Sequence, residues 1–399
     1  MTRLETPAPT AYTPPGSHTA TYPGAIARHT RSYRAGVIGH TGRGNYGHGL
    51  DTAFVAIPGV DLVAVADPVD AGRQAALARS GAPRGYASYQ DMLAQERLDL
   101  VAVGPYDLDQ HEEMVAAAAR AGAKAIYCEK PIARSLDEAD RMLAECDARG
   151  VKLAVAHQNR GTPAPRLVQT LIAAGKIGRL RRLRAWPKQD SRGGGLDLLV
   201  HGTHMFDLMR LFAGDPRWCH ARVMCDGRDA TLAAARPAGY AGGLMAGDDI
   251  IAEYGFDSGV TGHFESMLSD DGGGTPYLRM EISGSGGTLA LWSGVDSPVY
   301  YSPRSYPLPD QPEDWQCLQP EEMPIPAGMG RQHPGNQVLV RDLLAAVEED
   351  RPPHSSGHDA RAALEMILAV YESHLSGARV ALPMDRRTHP LEERENHTP

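Results

Sequence analysis

The stretch Arg34-Ala-Gly-Val-Ile-Gly39-His-Thr-Gly42-Arg-Gly44-Asn-Tyr-Gly47, followed by Asp61-Leu-Val-Ala-Val-Ala-Asp67, decides the fold. Both apolar runs are short and continuous rather than alternating, which predicts strands covered on both faces, as in a parallel sheet. The glycines between them turn the chain sharply. His48 to Ala56 then carries apolar residues at helical spacing, so the order is strand, tight turn, helix, strand. Working outward, the rhythm continues. Helices are predicted at Ala71–Ser80, around Tyr89–Gln95, at His111–Ala121 and at Leu136–Arg149. Strands are predicted at Leu98–Gly104, Ala125–Cys128 and Val151–Ala156. Strands and helices that alternate in this way make a doubly wound α/β sheet.

The rhythm ends after residue 156. A helix near Leu167–Ala174 leads into a strand at Arg179–Trp186 whose alternation is imperfect, because Leu180 and Leu183 are three apart. One helix is expected over Leu198–Leu211. Strands follow at Cys219–Met224, Ile250–Tyr254, Val260–Ser266, Leu278–Ser283 and Thr288–Trp292. This is an α+β pattern with a mostly antiparallel sheet. The Pro- and Gly-rich segment 302–335 reads as a long draped loop, and amphipathic helices at Val338–Glu349 and Ala360–Leu375 follow it. The expected organisation is a flexible tail over 1–32, a dinucleotide-binding domain over 33–156 and a substrate-binding, oligomerising domain over 157–399.

Composition agrees with two globular domains. The chain has 399 residues, 42% of them hydrophobic and 22% charged. Its net charge of −9 argues against a surface built for nucleic acid or anionic lipid. No apolar run approaches the ~20 residues of a membrane span. Five scattered cysteines form no disulfide framework and fit a reducing cytoplasm. Cys219 and Cys225, six apart in a strand, share one face and read as buried thiols.

Candidate cofactor groups cluster at strand ends. Glycines in the first turn let backbone approach a pyrophosphate, with the following helix presenting its free N–H groups. Gly42-x-Gly44-x-x-Gly47 fits the dinucleotide fingerprint literally, whereas the strand's end at Gly39 favours Gly39-x-x-Gly42-x-Gly44. Thr41 and Arg43 lie in the same turn. Asp67 closes the second strand, where a carboxylate accepts hydrogen bonds from ribose hydroxyls and repels a 2′-phosphate. That favours NAD over NADP; the alternative is a turn or helix-cap aspartate before Pro68. Glu129-Lys130-Pro131 follows the strand at Ala125–Cys128, at the sheet edge where ligands of doubly wound folds bind.

Together these elements make the chain resemble the Gfo/Idh/MocA family of NAD(P)-dependent sugar and inositol dehydrogenases. The resemblance runs from about Arg34 to Leu382. It rests on the Gly39 turn, Ala66-Asp-Pro68, Val103-Gly-Pro105 with His111, Cys128-Glu-Lys-Pro-Ile132, His157-Gln-Asn-Arg160, Gly193-Gly-Gly195 and Gly202-Thr-His-Met-Phe-Asp-Leu208. It implies an N-terminal Rossmann domain, a C-terminal α+β domain with a large open sheet, and a homodimer or homotetramer. It also implies that Lys130 lies beside substrate and nicotinamide and that His204 is the acid/base. Pro105 falls near the family's cofactor contacts. Two departures stand out. Val200 occupies the position of the family's aspartate, and two extra residues lie between Pro105 and His111.

Oxidation of a secondary alcohol needs a base with a pKa near neutrality and a group that polarises the same oxygen. His204 fits the first role and Lys130 the second, with Lys130 as an alternate base. Glu129 is a candidate to orient Lys130 or contact ribose. Asp197, His201 and His204 fall at i, i+4 and i+7, so on one helix they would share a face, with Asp197 orienting His201. His157, Gln158 and Arg160 follow the fifth strand as substrate-binding candidates; domain-interface packing is the alternative for His157 and Arg160. Asp197 or Asp207 could join His201 and His204 around a metal, but no CxxC or HExxH is present and no metal is expected. The expected activity is NAD-dependent oxidation of a sugar, inositol or related polyol. Two alternatives stay open: a redox-neutral lyase, glycosidase or epimerase working through a transient keto-sugar, and a non-catalytic regulator that binds NAD or sugar. The expected partner is a small molecule, with no nucleic acid or membrane.

Overall fold

The structure is a computed structural model that describes residues 32–392 apart from 240–241, 271–272, 276–277, 295–296 and 308–313. The expected tail, except Ser32, lies outside the described residues. The first sheet has six parallel strands: β1 (Tyr33–Ile38), β2 (Val60–Ala66), β3 (Arg84–Tyr86), β4 (Leu100–Val103), β5 (Ala125–Cys128) and β6 (Lys152–Val155). Their order is β3-β2-β1-β4-β5-β6. Helices α1 (Asp70–Ser80), α2 (Tyr89–Glu96), α3 (His111–Arg120) and α4 (Leu136–Asp147) connect them. Every residue of β4 and β5 is buried, as continuous apolar strands under two helical layers require. The order reverses between β1 and β4, and ligands of open α/β sheets bind outside such a switch point.

The helix expected at 48–56 is not there. Only Leu50–Thr52 forms a single 3-10 turn. Gly47, Gly49 and Ala56 have φ of 54°, 80° and 59°, and left-handed residues at such spacing cannot carry an α-helix. Leu50 and Phe54 are nevertheless buried, so the apolar spacing reports packing rather than helix.

The second part opens with α5 (Pro163–Ala173), β7 (Leu180–Trp186), α6 (Gly195–Val200) and α7 (Gly202–Ala213). Then come β8 (Pro216–Cys225), β9 (Arg228–Asp229) and a two-stranded ribbon of β10 (Arg236–Pro237) and β11 (Leu244–Met245). Next follow β12 (Asp249–Phe256), β13 (Thr261–Met267), β14 (Arg279–Gly284), β15 (Thr288–Trp292), β16 (Val299–Ser302) and β17 (Gln316–Leu318). Helices α8 (His333–Glu348) and α9 (Gly357–Ser376) precede the short β18 (Val380–Ala381). The large sheet runs β17-β16-β15-β14-β7-β13-β12-β8-β18, with β9 paired to β8. Its pairs are antiparallel except β7 with β13. The imperfect alternation in β7 has a cause. Register against β14 steps from Arg182↔Ser283 to Leu180↔Gly284, so Arg181 bulges out and Leu180 and Leu183 both turn inward.

Two further differences bear on the site. The helix expected over Leu198–Leu211 is two helices broken at His201. Helix α8, although near the end of the chain, buries Leu339, Val340, Leu343 and Leu344 in the same cluster as Tyr33, Val37 and Tyr127 of the first sheet. Each fully buried aliphatic side chain of this kind contributes about 1.5–3 kcal/mol. The five cysteines are all free. Among the described residues, no helix is long and apolar enough to cross a membrane.

Candidate active site

Strand β5 delivers Glu129 and Lys130 to the carboxyl end of the first sheet, and the Lys130–Pro131 peptide is cis. Lys130 is 4% exposed, and its Nζ donates to the Val200 carbonyl at 3.0 Å. Burial lowers its pKa to about 8, against the nearby Glu129 carboxylate, which favours the charged form. Glu129 neither orients Lys130 by a hydrogen bond nor faces solvent. It is fully buried and accepts from the His48 backbone N–H at 3.1 Å, with His48 Nδ1 2.7 Å from its other oxygen. Burial pushes this carboxyl up, yet pairing with His48 prevails and holds it below its usual range. A Cβ on Gly47 would overlap Glu129 Oε2, which explains glycine there.

Lys130 opens into a cavity of about 270 Å³ shared with His48, Gln158, Lys188, His201 and His204. Its far wall carries Leu278, Ser293 and Gly294, and its rim carries Arg331 and Gln332 from the Pro- and Gly-rich segment. Gly335, in the first turn of α8, also lines it. Asn336 fixes that turn: its amide accepts from Tyr127 Oη at 2.8 Å and donates to the His48 carbonyl at 3.0 Å.

The two helical imidazoles enter differently. Asp197 and His201 pair across one helical turn, as expected, through Oδ1 and Nδ1. The other Asp197 oxygen accepts from Gln189 N–H at 2.9 Å and Ser266 Oγ at 3.0 Å. Burial pulls the His201 imidazole pKa down, although the Asp197 carboxylate favours the charged ring. His204 stands on α7, beyond the break at His201, and lines the same cavity. Burial, then the nearby Lys130 charge, holds the His204 imidazole well below its usual pKa. Its Nδ1 is buried and has no hydrogen-bond partner among the described residues.

Three expected site groups lie behind this wall. His157 stacks edge-on against His204 at 5.4 Å between centroids, and its Nε2 lies 2.8 Å from Thr203 Oγ1. Arg160 and Asp207 are committed to each other: Arg160 Nε donates to Asp207 Oδ2 at 2.7 Å, and Arg160 Nη1 donates to the His354 carbonyl at 2.6 Å. Neither lines the cavity. Burial raises the Asp207 carboxyl, but the Arg160 charge outweighs it and holds the group far below its usual range. Among the described residues, no cluster of three His, Cys, Asp or Glu side chains could hold a metal.

The glycine turn is closed upon itself. His40 and Asn45 form an antiparallel bridge, and Gly42 N–H donates to Asn45 Oδ1 at 3.0 Å. Gly39, at its start, packs under the Tyr46 ring. Asp67 is fully buried and accepts from Thr41 N–H, from Thr41 Oγ1 at 2.7 Å and from Val69 N–H at 2.9 Å. Arg43 donates to Asp107 at 2.9 Å and to Asp109 at 2.7 Å, so the two-residue expansion before His111 clamps the turn. Pro105 is buried, with its carbonyl 2.7 Å from His111 Nε2. A dinucleotide fits this edge: the turn sits at the switch point, a Cβ at Gly42 would stand in open space, and Lys130 and His204 meet in the cavity beyond β5. The pyrophosphate argument from a following α-helix does not apply, because that helix is absent.

The sequence reading did not single out Lys188, Ser293, Arg331 or Gln332. Each lies in a turn or loop, and only the distant pairing of β7 with β14 and the packing of α8 bring them to one place. His48 was legible only as part of a presumed helix.

A doubly wound sheet with a glycine turn at its switch point, beside a cavity holding a buried lysine and imidazoles, defines a dinucleotide-dependent enzyme. The chain belongs to the Gfo/Idh/MocA oxidoreductase family: residues 33–157 match its NAD-binding Rossmann fold and residues 171–382 its C-terminal alpha/beta domain. It is similar to D-apiose dehydrogenase of Paraburkholderia graminis, at 26% identity over 354 residues, covering 83% of this chain and 85% of that protein. Levoglucosan dehydrogenase of Pseudarthrobacter phenanthrenivorans is 28% identical over 205 residues, 45% of this chain and 52% of that one. A solved levoglucosan dehydrogenase with NADH and levoglucosan superimposes at a TM-score of 0.70 with 21% identity, covering 89% of this chain and all of the other. An oxidoreductase from Agrobacterium radiobacter gives a TM-score of 0.68 at 18% identity, over 88% of this chain and 98% of that one. At these identities the solved structures show the fold.

Proposed function

We propose that the protein oxidises a secondary alcohol of a sugar, inositol or related polyol with NAD rather than NADP. One observation carries the reading: a single cavity at the switch-point edge joins Lys130, His201 and His204. The sugar dehydrogenases among its relatives support it. Bound NAD would supply the hydride acceptor, held by the turn from Gly39 to Gly44; Asp67 would fix that turn through Thr41, and Glu129 would fix His48 beside it. His204, kept neutral by burial, takes the hydroxyl proton. Lys130 gives one N–H to the Val200 carbonyl and keeps two for the substrate oxygen, where its charge favours alkoxide character. Because a backbone carbonyl holds the lysine, the side chain at position 200 is free to be valine. Gln158, on the cavity wall, positions the substrate, and His157, behind that wall, positions the His204 ring.

The test is NADH formation from a panel of sugars and inositols. Loss of turnover in the Lys130→Ala, His204→Ala double variant is expected, and normal turnover would overturn the assignment. His201 places a second imidazole in the cavity, which favours a second reading: redox-neutral elimination or epimerisation with NADH recycled. Stoichiometric free NADH excludes that version. We also propose a homodimer or homotetramer in the cytoplasm. Ile251 on the outer face of the large sheet is 50% exposed, and it pairs in register with Arg222 and Glu265, giving both charge signs around an apolar centre. Light scattering should show an oligomer that Ile251→Glu weakens; a monomeric parent protein would refute this.

A further inference from the structure

Among the described residues, the walls of the cavity carry cations and no carboxylate. Lys130, Lys188 and Arg331 line it, and no described Asp or Glu does. The nearest acids are engaged elsewhere: Glu129 with His48, Asp197 with His201, Ser266 and Gln189, and Asp190 with Arg192. Among the described residues, Lys188 and Arg331 make no ion pair. Carboxylates lie near both lysines, Glu129 near Lys130 and Asp190 and Asp197 near Lys188, but among the described residues none is paired to them directly, and enclosing an ammonium group in this way is costly. Lys130 shows the cost: burial loosens its proton, the Glu129 charge opposes this, and the Lys188 and Arg192 charges add to the loosening. Hydrogen-bonding capacity points the same way. Gln158 is 5% exposed, and its Nε2, a donor, has no partner among the described residues. Apart from the His204 ring, assigned to the reacting hydroxyl, the unused groups are donors: Gln158 Nε2, the Lys188 ammonium, two Lys130 N–H groups and the Arg331 fork. Such a set wants a ligand rich in acceptors and negatively charged. Volume limits its size, since about 270 Å³ lies at the small end of ligand pockets.

From the convergence of Lys188, Arg331 and the unpartnered Gln158 amide on one small cavity, we propose that the enzyme selects a monosaccharide-sized polyol bearing an anionic group, a carboxylate or a phosphate ester, over its neutral counterpart. This rests on the dehydrogenase reading for the reacting alcohol. Lys188 and Arg331 are the specificity determinants, and Lys130 keeps its role at the reacting oxygen.

The experiment compares kcat/KM with saturating NAD for neutral glucose and myo-inositol, for glucuronate and gluconate, and for glucose 6-phosphate. At least one anionic substrate should exceed the neutral ones by roughly 10-fold or more, the scale of one charged hydrogen bond. Carboxylate and phosphate arms separate the two sources of charge. Lys188→Met and Arg331→Met should each shrink that ratio, mainly through the KM of the acid. Equal or better turnover of the neutral sugars overturns the proposal while leaving the dehydrogenase reading intact. So does an unchanged acid preference with a raised KM for NAD, which would assign these cations to the cofactor. Calorimetric titration of gluconate against glucitol, with NADH present, covers the case of no turnover. Binding of gluconate alone, weakened by Lys188→Met, supports the anion site and counts against the dehydrogenase reading. Binding of neither, or of both equally, overturns it.

Discussion

Lys130 sets the pH behaviour expected of the active site. Its pKa is lowered to about 8 by burial, while burial keeps His204 well below its usual value. A base that must be neutral is ready across the neutral range, and a lysine that must be charged is lost above about pH 8. The kcat/KM profile should therefore be level near neutrality and fall above about pH 8. Lys130→Arg, although slower, should extend the level region upward, because a guanidinium stays protonated. A profile that rises through pH 8 would make Lys130 the base instead. Arg160 predicts a different kind of effect. It is locked to Asp207 within the wall, so Arg160→Met should cost about 3–5 kcal/mol by stranding a buried carboxylate. Urea unfolding measures this, and Arg160→Met with Asp207→Leu should recover part of the loss. At this scale the Glu129-Lys130 pair was legible because it ends a fully apolar strand. Arg160 and Lys188 were not, because a charged residue in a loop reads the same whether it faces a ligand or a buried partner.

Elements show where local pattern suffices and where it fails. Strands β1, β2, β4, β5 and β6 were legible because continuous apolar runs between turns have few other uses. The turn after β1 was also legible, but not its continuation. Leu50 and Phe54 are four apart and both buried, as in a helix, yet Gly47 and Gly49 prevent one. The break at His201 likewise has no strong local signal, since Gly202 is tolerated within a helix. Gly44 gives the prediction at this level. It has φ +89°, and a Cβ there would overlap the backbone nitrogen of Tyr106. Gly44→Ala adds about 1–2 kcal/mol of left-handed strain before that overlap is relieved. Relief must push the turn away from the β4 loop, loosening the Arg43 clamp on Asp107 and Asp109. The expected result is a KM for NAD raised roughly 10-fold or more with a smaller change in the KM for substrate, because binding geometry is sensitive to shifts of about 1 Å. Equal changes in both constants would mean that the turn does not hold the cofactor.

On the scale of the whole molecule, sequence order and spatial order part company. Helix α8 follows the large sheet in the chain but packs its apolar face into the first sheet, and Asn336 ties it to Tyr127 and His48. Amphipathicity made the helix legible; nothing in its pattern says which sheet it covers. The cavity is thus assembled from segments some 200 residues apart, around imidazoles that must stay uncharged to stay buried. This has a consequence for stability. Burial lowers the pKa values of His201, His204 and His389, the last to about 4. When folding lowers the pKa of a base, the unfolded chain binds the proton first as pH falls. The stabilisation is then complete above the unfolded value, about 6.5, and is lost below it. Each such histidine removes up to about 1.4 kcal/mol per pH unit between about pH 6.5 and its folded value. Asp207, Asp342 and Asp359, whose pKa values their cationic partners hold down against burial, add to the loss only below about pH 4. Urea unfolding should therefore show stability falling between pH 7 and pH 5, before carboxylates titrate, with a steeper second fall below pH 4. His389→Asn, distant from the cavity, should flatten the first phase by about one histidine's share while leaving the kcat/KM profile unmoved. Stability that is level from pH 7 to pH 5 would mean that these rings gain protons without opening the fold.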